Sequence, residues 1–409
     1  MAAQLVRPFT ALRPTPEHAA AVIAPPYDVV NADEARALAA GRPRSFLHIS
    51  RPEIDLPPGS SPYSDEAYAQ GARSLERLIA ERVLVRKDEP SFYIYRMVME
   101  GRTQTGVAFV ASVRAYEQNR IRRHELTRPD KENDRVRNIA TLNAQTGPVL
   151  LAYRANATLR DLLAVATNAA ALFSVTGPHD VVHTVWHASP STASTFQTEF
   201  DSLDALYIAD GHHRSAAAAR VAVERRSSPD ASHEFFLGVA FPHDELRILD
   251  YNRVVRDLHG LPPEALLARI RVSFTVNERR VAVAPARPET FGMYLGGRWY
   301  ELTLSPHLVP RNDPVASLDI SLLQDQLLAP ILKIGDPRTD ARIDFVGGIR
   351  GLSELEQRVQ SGAAAVAFAL RPTSMEQLMA VADAGELMPP KSTWFEPKLA
   401  DGLLTHVLD

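Results

Sequence analysis

The segment "DGHHR", residues 210–214, places an acid, a glycine, two histidines and an arginine at five consecutive positions. It follows "ALYIA", an apolar run typical of a buried strand, and precedes "SAAAARVAVERR", which favours a helix. These neighbours predict that the segment lies at a strand-to-helix turn. Backbone N–H groups and the helix dipole favour anion binding at such a turn. We call residues 210–214 the DGHHR turn.

Each residue type in the DGHHR turn suits phosphate binding. Gly211 allows tight backbone geometry or the close approach of a ligand. Arg214 can donate two hydrogen bonds to phosphate oxygens, while His212 and His213 can donate to phosphate or transfer protons. Asp210 is then available to hold Mg²⁺ or to orient His213. The alternative is that Asp210 caps the helix and the histidines only decorate its first turn.

A zinc site at the DGHHR turn is not favoured. Adjacent residues on a helix point about 100° apart, so His212 and His213 suit a shared zinc ion poorly. The chain contains no cysteine, which excludes disulfides, thiolate nucleophiles and zinc sites built from cysteine. The sequence therefore predicts phosphate at this turn.

A second charged segment, "RIRRHELT", occupies residues 120–127. Its three arginines, histidine and glutamate could supply phosphate contacts together with a carboxylate base. The alternative is a solvated strand end, because runs of charge usually lie at the surface.

Two further segments carry candidate binding residues. In "APPYDVV", residues 24–30, the prolines stiffen an extended segment, so Tyr27 and Asp28 are candidate substrate contacts and Asp28 could hold an amine or a metal. The alternative makes Asp28 a helix cap and Tyr27 a core residue. In "MPPKSTWFEPKL", residues 388–399, Lys391 could neutralise phosphate. The glycines of a P-loop are missing there, and the aromatic pair could instead pin the tail to the core.

The elements around these segments alternate between helix and strand. Helices are predicted over 29–40, with Asn31 or Asp33 as N-cap, and after Ser64. Residues 92–99 and 105–113 are predicted to form a hairpin. A helix-like stretch then precedes the apolar strand "PVLLAY".

Towards the C-terminus the same alternation continues. A second hairpin is predicted to turn on Gly296 and Gly297, followed by a helix over "LDISLLQDQLLAPIL" and a strand over "AAVAFAL". Thr373 and Glu376 form a candidate capping box. Together these patterns predict a mixed α/β fold with a mixed sheet.

Length and charge limit the class of protein. A chain of 409 residues predicts two or three subdomains, and 45% hydrophobic with 23% charged residues is typical of a globular protein. The net charge of -4 gives no field that would attract nucleic acid or an acidic membrane. No signal peptide or long apolar stretch is recognisable, so we expect a cytoplasmic protein without membrane or nucleic-acid partners.

The four segments also carry a resemblance to known families. "APPYDVV", "RRHELT", "ADGHHR" and "MPPKSTWFEPKL", in that order, resemble a large bacterial family that is defined as a domain of unknown function. The DGHHR turn is similar to the G-x-x-R nucleotide-binding turn of the ParB/sulfiredoxin superfamily, and within it the free serine kinases are the closer match. His212 stands where sulfiredoxins have cysteine, so their reduction reaction is excluded.

The resemblance implies a three-part organisation. An N-terminal α/β segment with a β-hairpin covers 1–115, a ParB/sulfiredoxin-like nucleotide-binding core covers 116–258, and a C-terminal α/β segment packing on that core covers 259–409. It implies a kinase that uses Mg-ATP or Mg-ADP to phosphorylate the hydroxyl of free serine or a related amino acid.

By this resemblance Glu125 is the base that takes the hydroxyl proton, and Arg123 and His124 contact phosphate. The expected partners are the nucleotide and an amino-acid-like substrate, and an oligomer is compatible with the sequence. Two other functions stay open. One is a ParB-like nucleotide-binding or CTP-hydrolysing switch, and the other is a phosphoester hydrolase that uses His212 or His213 with Asp210.

Overall fold

The computed structural model describes residues 4–86, 89–225 and 228–409. Its contacts divide the chain into two compact units. The first unit comprises Met1–Leu246 and Pro397–Asp409, and the second comprises Arg247–Glu396. The second unit is therefore an insertion between two parts of the first.

Strands and helices alternate along the described residues. The strands are Val6–Arg7 (β1), Leu12–Pro14 (β2), Leu84–Arg86 (β3), Tyr93–Met99 (β4), Arg102–Ser112 (β5), Ile121–Arg122 (β6), Ala144–Gln145 (β7), Val149–Tyr153 (β8), Phe173–Thr176 (β9), Val182–His187 (β10), Leu206–Asp210 (β11), Phe235–Pro242 (β12), Arg247–Leu249 (β13), Tyr251–Val255 (β14), Phe274–Arg279 (β15), Thr290–Leu295 (β16), Arg298–Leu304 (β17), Ile343–Gly347 (β18), Val366–Ala369 (β19), Trp394–Glu396 (β20) and His406–Val407 (β21).

The α-helices of the described residues are Ala19–Val22 (α1), Ala32–Ala39 (α2), Leu47–Ser50 (α3), Asp65–Ala80 (α4), Val113–Glu117 (α5), Pro129–Leu142 (α6), Ala157–Ala166 (α7), Pro190–Ser202 (α8), His212–Arg225 (α9), Pro263–Ile270 (α10), Asp319–Leu323 (α11), Gly351–Gln360 (α12) and Met375–Asp383 (α13). Short 3₁₀ turns occur at Pro52–Asp55, Pro178–Asp180, Ser232–Glu234, Pro306–Leu308 and Gly348–Arg350. A π-helical turn, Gln324–Leu328, continues α11.

The first unit is built on a nine-stranded sheet in the order β6-β11-β8-β12-β5-β4-β10-β9, with β1 paired to β5. Strand β11 runs parallel to β6, and β8 runs parallel to β12. The remaining pairings of this sheet are antiparallel. This arrangement confirms the predicted mixed α/β class with a mixed sheet.

Strand β5 of the β4–β5 hairpin pairs with β12, and in that pairing Leu237 of β12 lies opposite Val110 of β5. The hairpin thereby extends the sheet beyond β12. Strands before and after residue 115 therefore belong to one sheet, because β5 bonds directly to β12. The sequence predicts three parts, whereas the contacts divide the chain into two units. The three-part domain organisation stays a prediction.

Helices pack on the sheet of the first unit through large apolar side chains. One cluster joins the sheet to α7 and α8 and includes Phe92, Phe109, Leu151, Leu159, Phe196, Phe200 and Ile208. A second cluster gathers the N-terminal helices and includes Val22, Phe46, Leu47, Leu75 and Leu78. A third, formed by Val136, Ile139, Ala217, Val221 and Leu408, holds α6 against α9. This last contact fixes the helix that begins in the DGHHR turn.

Helix starts follow the predicted capping chemistry with one exception. The Asn31 side chain accepts hydrogen bonds from two amides of α2 and forms a capping box with Glu34, while Ser64 caps α4. The capping box predicted for Thr373 and Glu376 is wrong by one residue. Ser374 caps α13 and pairs with Gln377, since the helix begins at Met375.

The second unit contains an antiparallel six-stranded sheet in the order β15-β17-β16-β19-β14-β18. Its predicted hairpin is confirmed: β16 and β17 are joined at Gly296 and Gly297, with φ of +57° and +79°. Strand β13 pairs with β20. In neither unit does the described part of the chain contain a helix long and apolar enough to cross a membrane.

Candidate functional site

The DGHHR turn connects β11 directly to α9, as predicted. Gly211 is the only residue between them and has a φ of +98°. A side chain there would place its Cβ 3.4 Å from the Cα of Val149, which is ordinary van der Waals contact, so it is the backbone shape of the turn that needs glycine. The first amides of a helix have no acceptor within the helix. The start of α9 therefore presents N–H groups suited to an anion.

Asp210 ends β11 and forms an ion pair within the first unit. Its Oδ2 accepts a hydrogen bond from Nζ of Lys398 at 2.9 Å. Burial would raise the pKa of Asp210, but Lys398 and Arg214 outweigh burial and hold this pKa well below its usual range. Asp210 is therefore an anion at neutral pH, and its negative charge is balanced by two cations.

Arg214 joins the DGHHR turn to the segment 24–30. Its Nη1 donates to the carbonyl oxygen of Pro148 at 2.6 Å, and its Nη2 lies 3.2 Å and 3.4 Å from the two carboxylate oxygens of Asp28. The Arg214 side chain is 10% exposed and that of Asp28 is 42% exposed. The buried Arg214 guanidinium thus pairs with the Asp28 carboxylate, which is partly exposed to solvent. The alternative that Asp28 caps a helix is wrong, because Asn31 caps α2.

Tyr27 is half-buried and lies near two guanidinium groups. The Cζ of Arg135 lies 3.8 Å from the centroid of the Tyr27 ring, and the Cζ of Arg214 lies 5.7 Å from it. Arg135 donates twice to Oδ2 of Asp134, at 2.9 Å and 2.7 Å, and Tyr68 donates to the other oxygen of Asp134 at 2.6 Å. The network orients Arg135, and with it the aromatic face of Tyr27.

A small cavity of about 30 Å³ adjoins this network. It is lined by Tyr27, Arg135, Asn138, Ile139, Gln145, Thr146, Gly147, Val149, Arg214, Phe236 and Leu237. A Cβ on Gly147 would lie 3.4 Å from Oδ1 of Asp401 and 3.5 Å from Cδ of Arg214. The cavity therefore has two guanidinium groups and a buried carboxyl nearby. Burial raises the pKa of Asp401 to about 7.

His212 lies against the segment 120–127 instead of facing the same way as His213. Its ring meets that of His124 edge to face, with centroids 4.5 Å apart, and its Nδ1 lies 3.9 Å from Oε2 of Glu125. His213 instead accepts a hydrogen bond on Nε2 from the amide of Arg128 at 3.0 Å. The two adjacent histidines thus diverge, as helix geometry predicts.

Both buried histidines are uncharged at neutral pH. Burial lowers the pKa of His124 to about 4. Burial and the neighbouring His124 lower the pKa of His212 well below its usual value. His124, Glu125 and His212 offer nitrogen and oxygen atoms that all lie within 4.8 Å of one another, which makes them candidate metal ligands.

The structure therefore brings most of the predicted site residues together in the first unit. The residues linked by the contacts above are Tyr27, Asp28, His124, Glu125, Asp210, Gly211, His212 and Arg214, with His213 directed towards Arg128. Arg123 is exposed. Lys391 belongs to the second unit, where its ammonium lies 5.6 Å from the centroid of the Tyr251 ring. The predicted phosphate contacts of Arg123 and Lys391 stay predictions.

Sequence reasoning missed Lys398 and Asp401. Lys398 is one of five lysines in the chain and lies in the same segment as Lys391, so lysine scarcity alone could have singled it out. Asp401 carries no local signal, because its role depends on a buried position beside Gly147.

Magnesium was predicted at Asp210. The Asp210 carboxylate already accepts from an ammonium at 2.9 Å, so a direct magnesium contact would compete with Lys398. Magnesium in phosphoryl-transfer sites is held largely by water and by substrate phosphates, with only one or two carboxylates. The carboxylate of Asp28 is the more accessible of the two.

Comparison with solved structures gives only weak likenesses. A free serine kinase in complex with AMP has 13% identity and a TM-score of 0.36, covering 71% of this chain and 86% of that chain. SbnI with a C-terminal truncation from Staphylococcus aureus has 13% identity and a TM-score of 0.38, covering 72% and 85%.

A conserved hypothetical protein from Pyrococcus furiosus has 13% identity and a TM-score of 0.36, covering 73% of this chain and 94% of that one. No curated protein matches the chain in sequence. The model of one family does match it, over residues 6–321. The chain belongs to the family described as "Protein of unknown function (DUF1015)".

Proposed function

We propose that this protein is a nucleotide-dependent phosphotransferase that acts on the hydroxyl group of a small amino acid, with free serine as the first candidate. The observation that carries the proposal is the convergence of three segments on the start of α9. Residues 24–30 and 120–127 and the DGHHR turn supply cations, a helix N-terminus and accessible carboxylates within one unit.

The anion side of the proposed site is the start of α9. Amides at the start of a helix and a positive-φ glycine allow close approach of phosphate oxygens. In this proposal Gly211, His212, His213 and Arg214 hold the phosphates of ATP or ADP. Nη1 of Arg214 donates to Pro148 and Nη2 faces Asp28, while Nε has no partner among the described residues, so the guanidinium keeps N–H groups for phosphate.

The proposed base is Glu125, whose side chain is 48% exposed. Its carboxylate accepts the proton of the acceptor hydroxyl while the hydroxyl oxygen bonds to the transferred phosphorus, and the bond from phosphorus to the leaving nucleotide oxygen breaks. Phosphoryl transfer requires mainly positioning and charge stabilisation from the protein. Magnesium bound with the nucleotide would neutralise the phosphate charge.

The proposed acceptor side consists of Tyr27 and Asp28. Arg214 holds Asp28 by an ion pair, and the exposed part of the carboxylate can accept from the ammonium of an amino acid. Tyr27, whose ring packs against Arg135, lies beside Asp28 in the chain and completes the acceptor side in this proposal. A ParB/sulfiredoxin-like core over residues 116–258, in a cytoplasmic protein without nucleic-acid partners, is part of the same proposal.

Nucleotide binding is tested by calorimetry with ADP, ATP and CTP on the full chain. Arg214→Ala is expected to weaken nucleotide affinity about tenfold or more, because the loss of one charge-assisted contact and of its support for the turn costs about 1–3 kcal/mol. Arg220→Ala is the matched control, since Arg220 lies on the same helix and pairs with Glu132. Wild-type affinity in Arg214→Ala would overturn the phosphate assignment.

Turnover is tested by incubating the protein with ATP or ADP, Mg²⁺ and an amino-acid pool and searching for a phosphorylated product by mass spectrometry. Glu125→Gln should abolish product while nucleotide binding remains, and Glu117→Gln serves as the matched control on an exposed glutamate. No phosphorylated amino acid would reject the acceptor class. Release of phosphate without an acceptor would favour the hydrolase, and selective CTP binding without transfer would favour the switch.

A further inference from the structure

The cluster of His124, Glu125 and His212 has a second property beyond its place beside the DGHHR turn. We propose that these three residues form a binding site for a divalent first-row transition metal ion such as Zn²⁺, Mn²⁺, Fe²⁺ or Co²⁺. This site goes beyond the phosphotransferase function proposed above, which requires no metal at these residues.

The geometry of the cluster is close to that of a metal site. Nδ1 of His212 and Oε2 of Glu125 are 3.9 Å apart, and the candidate ligand atoms of all three residues lie within 4.8 Å of one another. Two ligand atoms, each about 2.1 Å from a metal, are about 3.4 Å apart in tetrahedral geometry. Side-chain rotations that shorten these separations by up to about 1.4 Å would therefore complete the set.

The unusual feature of the cluster is His124. Its side chain is 2% exposed, yet neither ring nitrogen has a hydrogen-bond partner among the described residues. The backbone of Ile208 approaches the ring without meeting hydrogen-bond geometry. A buried polar group without a partner costs free energy. A metal ion bound between His124 and His212 would give one of these two nitrogens a partner and remove that part of the cost.

The two ring nitrogens of His212 face different neighbours. The backbone amide of His124 points at Nε2 of His212 across 3.4 Å, which leaves Nδ1 on the side of Glu125. Because that amide donates to Nε2, metal binding through Nδ1 requires the ring tautomer that carries its proton on Nε2, and the amide contact is then given up. The carbonyl oxygen of His212 accepts from the hydroxyl of Ser215 at 3.0 Å, which further anchors the residue.

The ligand types identify the class of metal. Two imidazole nitrogens are borderline donors that, together with one carboxylate oxygen, suit zinc, iron, manganese and cobalt, whereas magnesium and calcium prefer oxygen ligands throughout. Three protein ligands leave coordination positions for water or for a phosphate oxygen. The 48% exposure of Glu125 provides the entry side.

Occupancy of this site has a consequence for the chemistry proposed above. A Glu125 carboxylate that coordinates a metal ion is not available to take a proton from an acceptor hydroxyl. A transition metal bound here would therefore inhibit the Mg²⁺-dependent transfer, which makes the site a regulatory one.

Metal binding is tested on the full chain after removal of metals by chelation, without nucleotide. We expect one equivalent of Co²⁺ to bind with a visible absorption band, and calorimetry to give one equivalent of Zn²⁺ or Mn²⁺. His124→Ala, His212→Ala and Glu125→Gln should each weaken binding at least tenfold. His213→Ala is the matched control and should bind as wild type does, since its ring accepts from Arg128.

Two measurements test the site even if His124→Ala or His212→Ala does not fold. Glu125→Gln changes a partly exposed side chain, and circular dichroism checks its fold. Pulsed electron paramagnetic resonance of Mn²⁺ on the wild-type chain should show nitrogen couplings from imidazole. No bound metal, no nitrogen coupling, or equal loss of binding in His213→Ala would overturn the site. Because binding is measured without turnover, its failure is distinct from failure of the phosphotransferase proposal.

Discussion

The ammonium of Lys398 donates to Oδ2 of Asp210 across 2.9 Å, and these two residues are 188 positions apart in the chain. The ion pair attaches the last segment of the first unit to the DGHHR turn. Lys398 is 20% exposed and Asp210 is 32% exposed, so water screens the pair only in part.

Lys398→Met should lower the free energy of unfolding by about 1–3 kcal/mol, because it leaves the partly buried carboxylate of Asp210 without its ammonium. Chemical denaturation followed by circular dichroism measures this change. Lys391→Met is the matched control, since Lys391 is exposed and lies in the same sequence segment. Equal losses in the two variants would contradict a specific role for the ion pair.

Gly211→Ala should destabilise the protein and weaken nucleotide binding together. The φ of +98° is costly for alanine, at about 1–2 kcal/mol, and the new Cβ would touch the Cα of Val149. Gly260→Ala provides the comparison, because Gly260 also has a positive φ, +72°, but its Cβ would meet nothing within 4 Å. Thermal unfolding and calorimetry with ADP check both effects. Unchanged nucleotide affinity in Gly211→Ala would remove the turn from the binding site.

Asp401→Asn should change how stability depends on pH. Burial raises the pKa of Asp401 to about 7, whereas an unfolded chain has about 3.9. Between these values the folded chain holds a proton that the unfolded chain has released, so this group's contribution to stability falls as the pH rises.

Relative to Asp401→Asn, the wild type should therefore lose on the order of 2 kcal/mol of stability between about pH 5 and about pH 8. Denaturation curves of the wild type and Asp401→Asn at several pH values measure this difference in stability. The buried histidines are present in both proteins, so their contribution cancels in the comparison. Parallel pH profiles would show that Asp401 is ionised in the folded chain throughout this range.

Tyr68→Phe should cost about 1–3 kcal/mol, because the hydroxyl of Tyr68 is a hydrogen-bond donor to the buried carboxylate of Asp134. Tyr63→Phe is the control: Tyr63 is 47% exposed and its hydroxyl meets Lys131 at the surface. Urea denaturation compares the two variants. A neutral Tyr68→Phe would mean that Arg135 alone satisfies Asp134.

Local features of the fold were accessible from sequence. Helix caps at Asn31 and Ser64, the hairpin at Gly296 and Gly297, and the strand-to-helix turn around Gly211 each depend on a few neighbouring residues. Such features follow from capping, turn geometry and periodicity, which a short window contains.

The contacts between residues of the site could not be predicted from the sequence in this way. Arg214 and Asp28 are 186 residues apart, and Lys398 comes from the far end of the chain. The motif segments could be recognised as chemically active, but nothing in their composition specified which carboxylate would meet which cation. Those pairings depend on sheet order and on the packing of α6 against α9.

The histidines illustrate the same limit. Helix geometry correctly predicted that His212 and His213 would diverge, and this argued against zinc at the turn. The neighbour of His212 is His124, which is 88 residues away in the chain and follows β6, the strand parallel to β11. An argument from spacing within one segment could not find a second histidine brought by another strand.

The division of the first unit into two chain segments has a consequence for synthesis of the protein. Translation proceeds from the N-terminus, and Lys398 and Asp401 follow the whole of Arg247–Glu396. The ribosome therefore completes the inserted unit before it releases the residues that neutralise Asp210 and adjoin Arg214. A nascent chain therefore lacks the ion pair of Asp210 with Lys398 until residue 398 has been synthesised, and termination anywhere in the insertion yields a chain without Lys398 and Asp401.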